Sequence, residues 1–292
     1  MSTPLRRRST LFAPAHNRAL LEKMKRCEPD CVVLDLEDGT PPAEKSSARS
    51  VAELALREVD FGAAEVIVRI NGMDSAHVAE DIAWLRTLDE LPDAVMLPKV
   101  QSWQSIANFE QRLGRQDMPL WILPTETAFG YRNVVESTQH PSVTAVIWAA
   151  EDFAADIGAD GSREPGGRLR EVFRVARAET LLAAKAAGIS VIDTTYVDLA
   201  DLDGLRNEAT ECAAMGFDGK AAIHPRHVTV INEVFQPDEV AIDRAERLVI
   251  AFEAAGGGAI RFEDRMVDGP HYKQALRLLA RAGRTVTQAR ID

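Results

Sequence analysis

The sequence predicts an α/β fold, a (β/α)8 TIM barrel that is followed by a C-terminal helical lid or arm. Eight short apolar runs rich in β-forming residues alternate with amphipathic stretches of helical spacing, which is typical of a parallel sheet. The eight units occupy roughly 225 residues, about the length that such a barrel needs. A doubly wound open sheet ranks second, because no glycine-rich dinucleotide fingerprint follows the first run.

The predicted strands follow one another at the spacing of βα units. The eight runs, of which the last is the weakest, are 9–14, 31–37, 65–71, 94–100, 119–126, 143–150, 190–196 and 216–225. Apolar residues at helical spacing predict helices over 43–59, 75–88, 168–187 and 202–215. Gly188 is predicted to cap the third of these helices, since glycine readily adopts the left-handed conformation that ends a helix.

The C-terminal part of the chain is predicted to form a second domain. The composition changes at three consecutive glycines, Gly256, Gly257 and Gly258, which favour a hinge. On this interpretation residues 1–255 form the catalytic barrel and residues 256–292 form a lid. The lid contains the segment 259–268 and a final helix over 270–282, where Pro270 suits the first turn.

The net charge argues against some classes of partner. The chain has 34 basic and 45 acidic residues, a formal charge of −11 and an isoelectric point near 5.1. Such a charge repels phosphate backbones and anionic lipid, so we expect no nucleic-acid partner and no membrane partner. No run approaches the ~18 apolar residues of a membrane span, and the first eight residues lack the apolar core of a signal peptide. We therefore expect a cytoplasmic protein.

Polar residues that follow the apolar runs are the candidate active groups, because barrel enzymes carry their chemistry at the carboxyl ends of the strands. These residues are Asp35, Glu37, Asp38, Arg69, Asn71, Lys99, Glu126, Glu151, Asp152, Asp193 and His224. Each could instead be a solvated strand end or a helix N-cap. Their common position is therefore more informative than any single residue.

Glu126 and Asp152 follow consecutive runs, and the ends of neighbouring parallel strands lie side by side. Two carboxylates without Cys or His suit Mg²⁺, which binds one or two carboxylates and keeps positions for water and substrate. A carboxylate pair for general acid–base catalysis remains an alternative. Arg69 follows the third run, where its planar fork could bind a substrate carboxylate or a developing oxyanion.

Seven segments occur in order along the chain: RRSTLFAP, DCVVLDLEDGTPPAEKSSAR, VRIN, MLPKV, ILPTETAFG, AAEDFAADIGA and GFDGKAAIHPRH. Together they resemble the citrate lyase β-subunit-like branch of the HpcH/HpaI aldolase superfamily. The resemblance extends from about residue 7 to about residue 282. It implies a TIM barrel whose enzymes use Mg²⁺ to make or break a C–C bond between a 2-oxo acid and an acyl-CoA enolate.

The resemblance also implies roles for single residues. Glu126 in PTET and Asp152 in AEDF match the metal ligands of the family, and Arg69 in VRIN matches its substrate arginine. Glu37 and Asp38 are expected to orient metal-bound water or Arg69. The positions that resemble those lining the CoA thioester channel are Phe12, Lys23, Lys45, Ile223 and His224.

The segment IRFEDRMVDGPHYKQA resembles the lid of the family, in which an Asp enters the site of a neighbouring subunit as acid or base. That Asp is Asp268, which also suits the N-cap of the final helix. Glu263 and Asp264 stand where relatives often carry a glycine. A lid that acts between subunits implies a homo-oligomer, a trimer or a hexamer.

The expected reaction is cleavage of a 3-hydroxyacyl-CoA such as malyl-CoA or citramalyl-CoA into acetyl-CoA and glyoxylate or pyruvate, or the reverse condensation. Four alternatives stay open. They are a citrate lyase β subunit that acts on a carrier-bound citryl thioester, a malyl-CoA thioesterase, an aldolase that needs no CoA, and a non-catalytic acyl-CoA-binding protein.

Overall fold

Eight parallel strands close into a barrel in the computed structural model, which describes residues 6–284. The strands are β1 (Ser9–Pro14), β2 (Cys31–Asp35), β3 (Glu65–Arg69), β4 (Ala94–Pro98), β5 (Leu120–Leu123), β6 (Val143–Ile147), β7 (Ser190–Asp193) and β8 (Gly219–Ala222). Each strand pairs with the next along the chain, and β8 pairs with β1. The predicted TIM barrel is therefore confirmed.

All eight predicted runs contain a strand, and β1 has the predicted bounds. The other seven strands end two or three residues before the predicted ends. The difference arises because the last two or three residues of each run lie in the loops and short helices that follow the strands. The candidate active groups therefore lie at the carboxyl ends of the strands or shortly after them.

Alternate residues of the strands fill the inside of the barrel. The buried cluster there contains Cys31, Val33, Ile67, Ala94, Met96, Trp121, Leu123, Ala145, Ile147, Ile192 and Ala221. The residues between them face the helices. Two of these are charged: Lys220 is fully buried and its ammonium lies 2.9 Å from the carboxylate of Asp193, which also accepts two hydrogen bonds from Arg177.

Helices follow most strands. They are α1 (Arg18–Leu21), α2 (Lys45–Glu58), α3 (Val78–Leu85), α4 (Trp103–Leu113), α5 (Ala128–Arg132), α6 (Val134–Thr138), α7 (Ala150–Asp156), α8 (Glu171–Ala187), α9 (Leu202–Met215), α10 (Pro225–Phe235), α11 (Glu239–Ala254) and α12 (Gly269–Arg281), with 3-10 helices at Met24–Cys27, Pro42–Glu44 and Pro124–Glu126. The bounds predicted for α9 are confirmed, and Gly188 ends α8 with a φ of 73° as predicted. None of the helices in the described part of the chain is long and apolar enough to cross a bilayer.

The chain divides into two compact units, Arg7–Glu233 and a unit that includes the segment from Val234 onward. In the second unit α11 packs on α12 through a cluster that includes Ile242, Leu248, Val249, Ala275 and Leu279. The division therefore falls before α11, whereas the sequence predicts a boundary between residues 255 and 256. The physical reason is that the apolar face of α11 is covered by α12.

A hairpin that the sequence analysis does not anticipate precedes α12. Its strands are β9 (Ile260–Phe262) and β10 (Arg265–Val267). The turn residues Glu263 and Asp264 have φ values of 47° and 60°, and a type I′ turn requires positive φ at both positions. The carboxylate of Glu263 binds Arg244 and Arg247 of α11, which holds two non-glycine residues in this conformation.

Gly219 in β8 is expected to tolerate no side chain. A Cβ there would lie 1.9 Å from the carbonyl oxygen of Arg7 and 2.5 Å from that of Arg8. Because both oxygens belong to the backbone beside β1, Gly219→Ala should lower the free energy of unfolding by at least the ~1–3 kcal/mol that overpacking costs. Chemical denaturation monitored by circular dichroism measures the change.

Gly166→Ala is the matched control, because a Cβ at Gly166 meets no described atom within 4 Å. It should change the free energy of unfolding by less than about 0.5 kcal/mol, as surface substitutions usually do. Equal losses in the two variants would contradict the proposed clash.

Candidate active site

A cavity of about 350 Å³ opens at the carboxyl ends of the strands. The predicted site residues that line it are Phe12, Asp38, Arg69, Glu126, Asp152 and Ile223. Asp35, Leu123, Ile147, Trp148 and Thr194 line it as well. Residues from widely separated parts of the sequence therefore meet at one end of the barrel, because the parallel strands all end there.

Two carboxylates hold Arg69: Asp35 is the last residue of β2, and Glu37 follows shortly after it. Its Nε and Nη2 donate to the two oxygens of Asp35 at 2.7 and 2.6 Å, and Nη1 lies 3.0 Å from Oε2 of Glu37. Burial acts to raise the pKa of Asp35, but Arg69 and the amides of Glu37 and Gly39 outweigh it, so the pKa is lowered. The guanidinium also lies 5.2 Å from the centre of the Phe12 ring, within cation–π range.

Glu126 ends the 3-10 helix that follows β5, and it is only 2% exposed. Its Oε2 accepts a hydrogen bond of 2.6 Å from the amide of Lys99. Its Oε1 has no hydrogen-bond partner among the described residues and lies 3.9 Å from Nη1 of Arg69. Burial and, next, the charge of Glu37 raise the pKa of Glu126 well above its usual value. Burying a carboxylate oxygen without a partner costs free energy unless a cation or a proton compensates for the loss of solvation.

Asp152 lies in the first turn of α7, directly after β6, and is half-buried. Burial raises the pKa of its carboxyl group, and Asp38 adds to the effect while Lys99 and Arg69 oppose it. The charge of Asp152 also contributes to the raised pKa of Glu126. Both carboxylates line the same cavity.

The donor set fits a hard divalent cation. Among residues 6–284, five carboxylates line this cavity together with Arg69, and the ion pair of Glu37 and Lys99 lies next to them: the five are Asp35, Asp38, Glu126, Glu151 and Asp152. No group of three or more His, Cys, Asp or Glu side chains in the described chain could hold a metal by itself. Mg²⁺ needs only one or two carboxylates, since water and substrate fill its other positions. The assignment of Glu126 and Asp152 as its ligands stays a prediction.

The residues expected to line a CoA channel have different surroundings. Phe12 and Ile223 line the cavity, and Ile223 is 43% exposed. Lys23 is exposed next to a 3-10 helix, and Nδ1 of His224 accepts a hydrogen bond from the amide of Arg226. Neither Lys23 nor His224 is among the described residues that line this cavity. Their roles in CoA binding stay predictions.

The side chain of Lys45 is not exposed to solvent, as a lysine in an amphipathic helix is expected to be. Its side chain is buried, and its ammonium donates to the carbonyl oxygens of Leu36 and Glu37, both at 2.6 Å. These bonds fix the loop that carries Glu37. The ammonium is engaged with the backbone in this conformation, because the loop after β2 turns back over the start of α2.

Asp268 belongs to the second unit of the chain, where it is the N-cap residue of α12. Its Oδ1 lies 2.6 Å from Nδ1 of His271, and its side chain is 41% exposed. The N-cap position agrees with the sequence prediction. Its role as acid or base stays a prediction.

Asp35 and Lys99, which the sequence places among the candidate active groups without a specific role, organise this site. Asp35 forms the bidentate pair with Arg69, and Lys99 binds Glu37 and Asp38 through its ammonium at 2.8 and 3.5 Å. The available indication was a charged residue inside an otherwise apolar segment, CVVLDLE and MLPKV. Burying a charge there is costly without a partner, so such a residue points to an ion pair.

Known proteins resemble this chain over nearly its whole length. Residues 8–225 match the HpcH/HpaI aldolase/citrate lyase family, and residues 170–284 match the C-C bond lyase of the TIM-barrel fold. The human mitochondrial citramalyl-CoA lyase is 37% identical over 288 residues, which cover 92% of this chain and 83% of the relative. A (3S)-malyl-CoA thioesterase of Cereibacter sphaeroides is 34% identical over 278 residues, which cover 94% of each protein.

A solved structure agrees with these matches. It is the crystal structure of the protein CitE from Mycobacterium tuberculosis in complex with magnesium, acetoacetate and coenzyme A. Its sequence is 33% identical to this chain, and the TM-score is 0.81 with 94% of this chain and 98% of the other covered. The barrel, the ordered motifs and these similarities lead to one conclusion: the chain belongs to the HpcH/HpaI aldolase/citrate lyase family.

Proposed function

We propose that this protein is a Mg²⁺-dependent lyase that breaks, or in the reverse direction forms, a C–C bond in a CoA thioester. The substrate is a 3-hydroxyacyl-CoA such as citramalyl-CoA or malyl-CoA, and the products are acetyl-CoA and pyruvate or glyoxylate. Support comes from a relative named citramalyl-CoA lyase and from the related structure that holds magnesium, acetoacetate and coenzyme A.

The observation that carries the proposal is the state of Glu126. One oxygen of this buried carboxylate lacks a hydrogen-bond partner in the described chain, in a cavity where carboxylates outnumber basic groups. A divalent cation compensates for this excess of negative charge, and Asp152 supplies a second hard oxygen at the same cavity. Glu126 and Asp152 would hold Mg²⁺, and the bound ion would supply Lewis-acid polarisation of substrate oxygens.

Arg69 provides a positive charge with a fixed orientation. Because Asp35 and Glu37 occupy its donors, the guanidinium cannot swing away from the cavity wall. A substrate carboxylate or a developing oxyanion beside it is stabilised without reorganisation of the site. Asp38 lies at the exposed rim and binds Lys99, so Glu37 rather than Asp38 orients Arg69.

The reaction requires two proton transfers. When the C–C bond breaks, the hydroxyl group gives up its proton to solvent, and its carbon becomes the keto carbon of the 2-oxo acid. The electron pair of the bond remains on the carbon beside the thioester, which must gain a proton to give acetyl-CoA. Asp268 is the proposed donor of this proton during cleavage. In the reverse condensation, Asp268 removes a proton from the same carbon of acetyl-CoA.

Two further properties belong to the proposal. We propose a homo-oligomer, a trimer or a hexamer, in which Asp268 serves the site of a neighbouring subunit. We also retain the prediction of a cytoplasmic location, although the human relative is named as mitochondrial.

The first experiment is a substrate panel. Citramalyl-, malyl-, methylmalyl- and citryl-CoA and a carrier-bound citryl thioester are incubated with the protein and MgCl₂. The release of 2-oxo acid, of the shortened acyl thioester and of free CoA is measured. We expect equal amounts of 2-oxo acid and acetyl-CoA, and no reaction in EDTA. Full activity in EDTA would contradict the metal assignment.

The same panel separates the alternative functions. Release of free CoA without a 2-oxo acid would favour a thioesterase, the function in the name of the relative from Cereibacter sphaeroides. Turnover of a carrier-bound citryl thioester alone would favour a citrate lyase β subunit. Calorimetric binding of a thioester without turnover of any would favour a non-catalytic binder.

Glu126→Gln should stabilise the metal-free protein and abolish Mg²⁺ binding. Because the pKa of Glu126 is raised in the folded state, the folded state binds this proton more tightly than the unfolded chain does. Stability therefore falls as the pH rises above the ordinary pKa of a glutamate, because the unfolded chain then loses the proton that the folded state retains. A neutral Gln removes this loss of stability, so the melting temperature without metal should rise.

MgCl₂ should raise the melting temperature of the wild type, since a ligand that binds only the folded state stabilises it, but should not raise that of Glu126→Gln. Glu136→Gln is the control, because Glu136 is exposed on α6, and it should behave as the wild type does. A lower melting temperature for metal-free Glu126→Gln with an intact response to MgCl₂ would refute the assignment.

Asp268→Asn should lower kcat by ~10²–10⁴-fold, the usual contribution of a general acid or base. The calorimetric affinity for Mg²⁺ should be unchanged, and Asn keeps a side chain that suits an N-cap. Asp264→Asn is the control in the neighbouring turn, where Asn also tolerates positive φ, and it should leave kcat unchanged. Normal turnover in Asp268→Asn would remove this residue from the mechanism.

Coexpression of Glu126→Gln with Asp268→Asn tests whether the acid acts between subunits. Each variant alone is expected to be inactive or nearly so, whereas mixed oligomers contain sites in which both native residues meet. We expect partial recovery of activity in the mixture. A fully active monomer in sedimentation experiments would contradict the proposed arrangement.

A further inference from the structure

Lys99 has an uncommon backbone conformation beside the acidic cavity. Its φ is 51°, and the other non-glycine residues of positive φ in the described chain are Glu28, Glu263 and Asp264. Glu28 caps a 3-10 helix, and the other two form a hairpin turn, whereas Lys99 directly follows β4. A residue with a Cβ pays a steric penalty in this conformation, and such strain is concentrated at functional sites.

The backbone amide of Lys99 is directed at Glu126. It donates to Oε2 at 2.6 Å, which occupies one oxygen of this carboxylate. The other oxygen, Oε1, is left without a hydrogen-bond partner within residues 6–284, 3.9 Å from Nη1 of Arg69. The direction of one amide thus decides which oxygen of Glu126 remains available to a cation.

The side chain of Lys99 is tied down at its far end. Its ammonium lies 2.8 Å from Oε1 of Glu37 and 3.5 Å from Oδ2 of Asp38, and the side chain is 38% exposed. Glu37 is itself buried and held by Arg69. The ammonium is therefore attached to a rigid point, and this attachment opposes rotation of the Lys99 backbone to negative φ.

We infer that Lys99 is a positioning residue: its left-handed backbone directs its amide at Oε2 of Glu126, and this contact presents Oε1 to Mg²⁺. This inference rests on the proposed Mg²⁺ site. A positioning role predicts a result that a purely electrostatic role of Lys99 does not predict. Loss of the ammonium alone leaves the cavity more negative and so more attractive to a dication, whereas loss of the left-handed backbone misplaces a ligand.

Four substitutions that all remove the ammonium separate the two effects. They are Lys99→Gly, Lys99→Asn, Lys99→Ala and Lys99→Val, in order of increasing resistance to positive φ. The dissociation constant of Mg²⁺ is measured by titration calorimetry of MgCl₂ into the full chain without substrate. The Gly and Asn variants should bind at least as tightly as the wild type.

Lys99→Val should bind Mg²⁺ ~10–100-fold more weakly, the loss typical when a metal ligand loses its supporting partner, and Lys99→Ala should fall between Gly and Val. Saturating Mg²⁺ should restore more of kcat in Lys99→Val than it does in Glu126→Gln. Should Lys99→Val fail to fold, the ratio between the Ala and Gly variants tests the same order.

Equal weakening in all four variants would assign the effect to the charge and overturn the inference. Equal affinity in the Gly, Ala and Val variants would overturn it as well, since the backbone conformation would then have no influence. If the wild type and Glu126→Gln both fail to bind Mg²⁺, the proposed metal site itself is wrong. The failure of the inference and the failure of the proposed function are thus distinguishable.

Discussion

The site depends on one buried ion pair, between Asp35 and Arg69. The two residues are directly opposite each other in the register of β2 and β3, at the ends of adjacent strands. A buried pair is favourable only when its geometry is good and its remaining donors and acceptors are satisfied. Here both carboxylate oxygens accept from the guanidinium, two backbone amides also donate to them, and Oε2 of Glu37 lies 3.0 Å from the remaining nitrogen as an ion pair.

This pair allows further carboxylates to gather nearby. Glu37 and Glu126 are buried close to each other, and without Arg69 and Lys99 their repulsion would act in a medium that screens charge poorly. The cavity still has more negative than positive groups. Its unpartnered carboxylate oxygen is an exception to the rule that buried polar atoms form hydrogen bonds, and such exceptions in proteins usually serve a function. A bound dication would supply the missing partner.

Several features of the site can be predicted from the amino-acid sequence. Glu126 and Asp152 were identified because carboxylates directly follow apolar runs, and the barrel brings both to one cavity. Lys45 shows the limit of this reasoning. Its helix resembles any solvated amphipathic helix, but the path of the loop after β2 places two carbonyl oxygens around its ammonium. The packing of α11 against α12 could not be predicted for the same reason, because the apolar face of a helix does not indicate which element covers it.

The alternation of strands and helices, the barrel and the kinds of side chain at its carboxyl end can be predicted from the amino-acid sequence. The alternation follows from apolar periodicity, which is a local property and reflects burial. Which atoms of those side chains form hydrogen bonds depends on the three-dimensional arrangement of the chain. Asp35 meets Arg69 across 34 positions of the chain, and the ammonium of Lys99 meets Glu37 across 62. Hydrogen bonds depend on distances of a few tenths of an ångström, which a one-dimensional pattern does not contain.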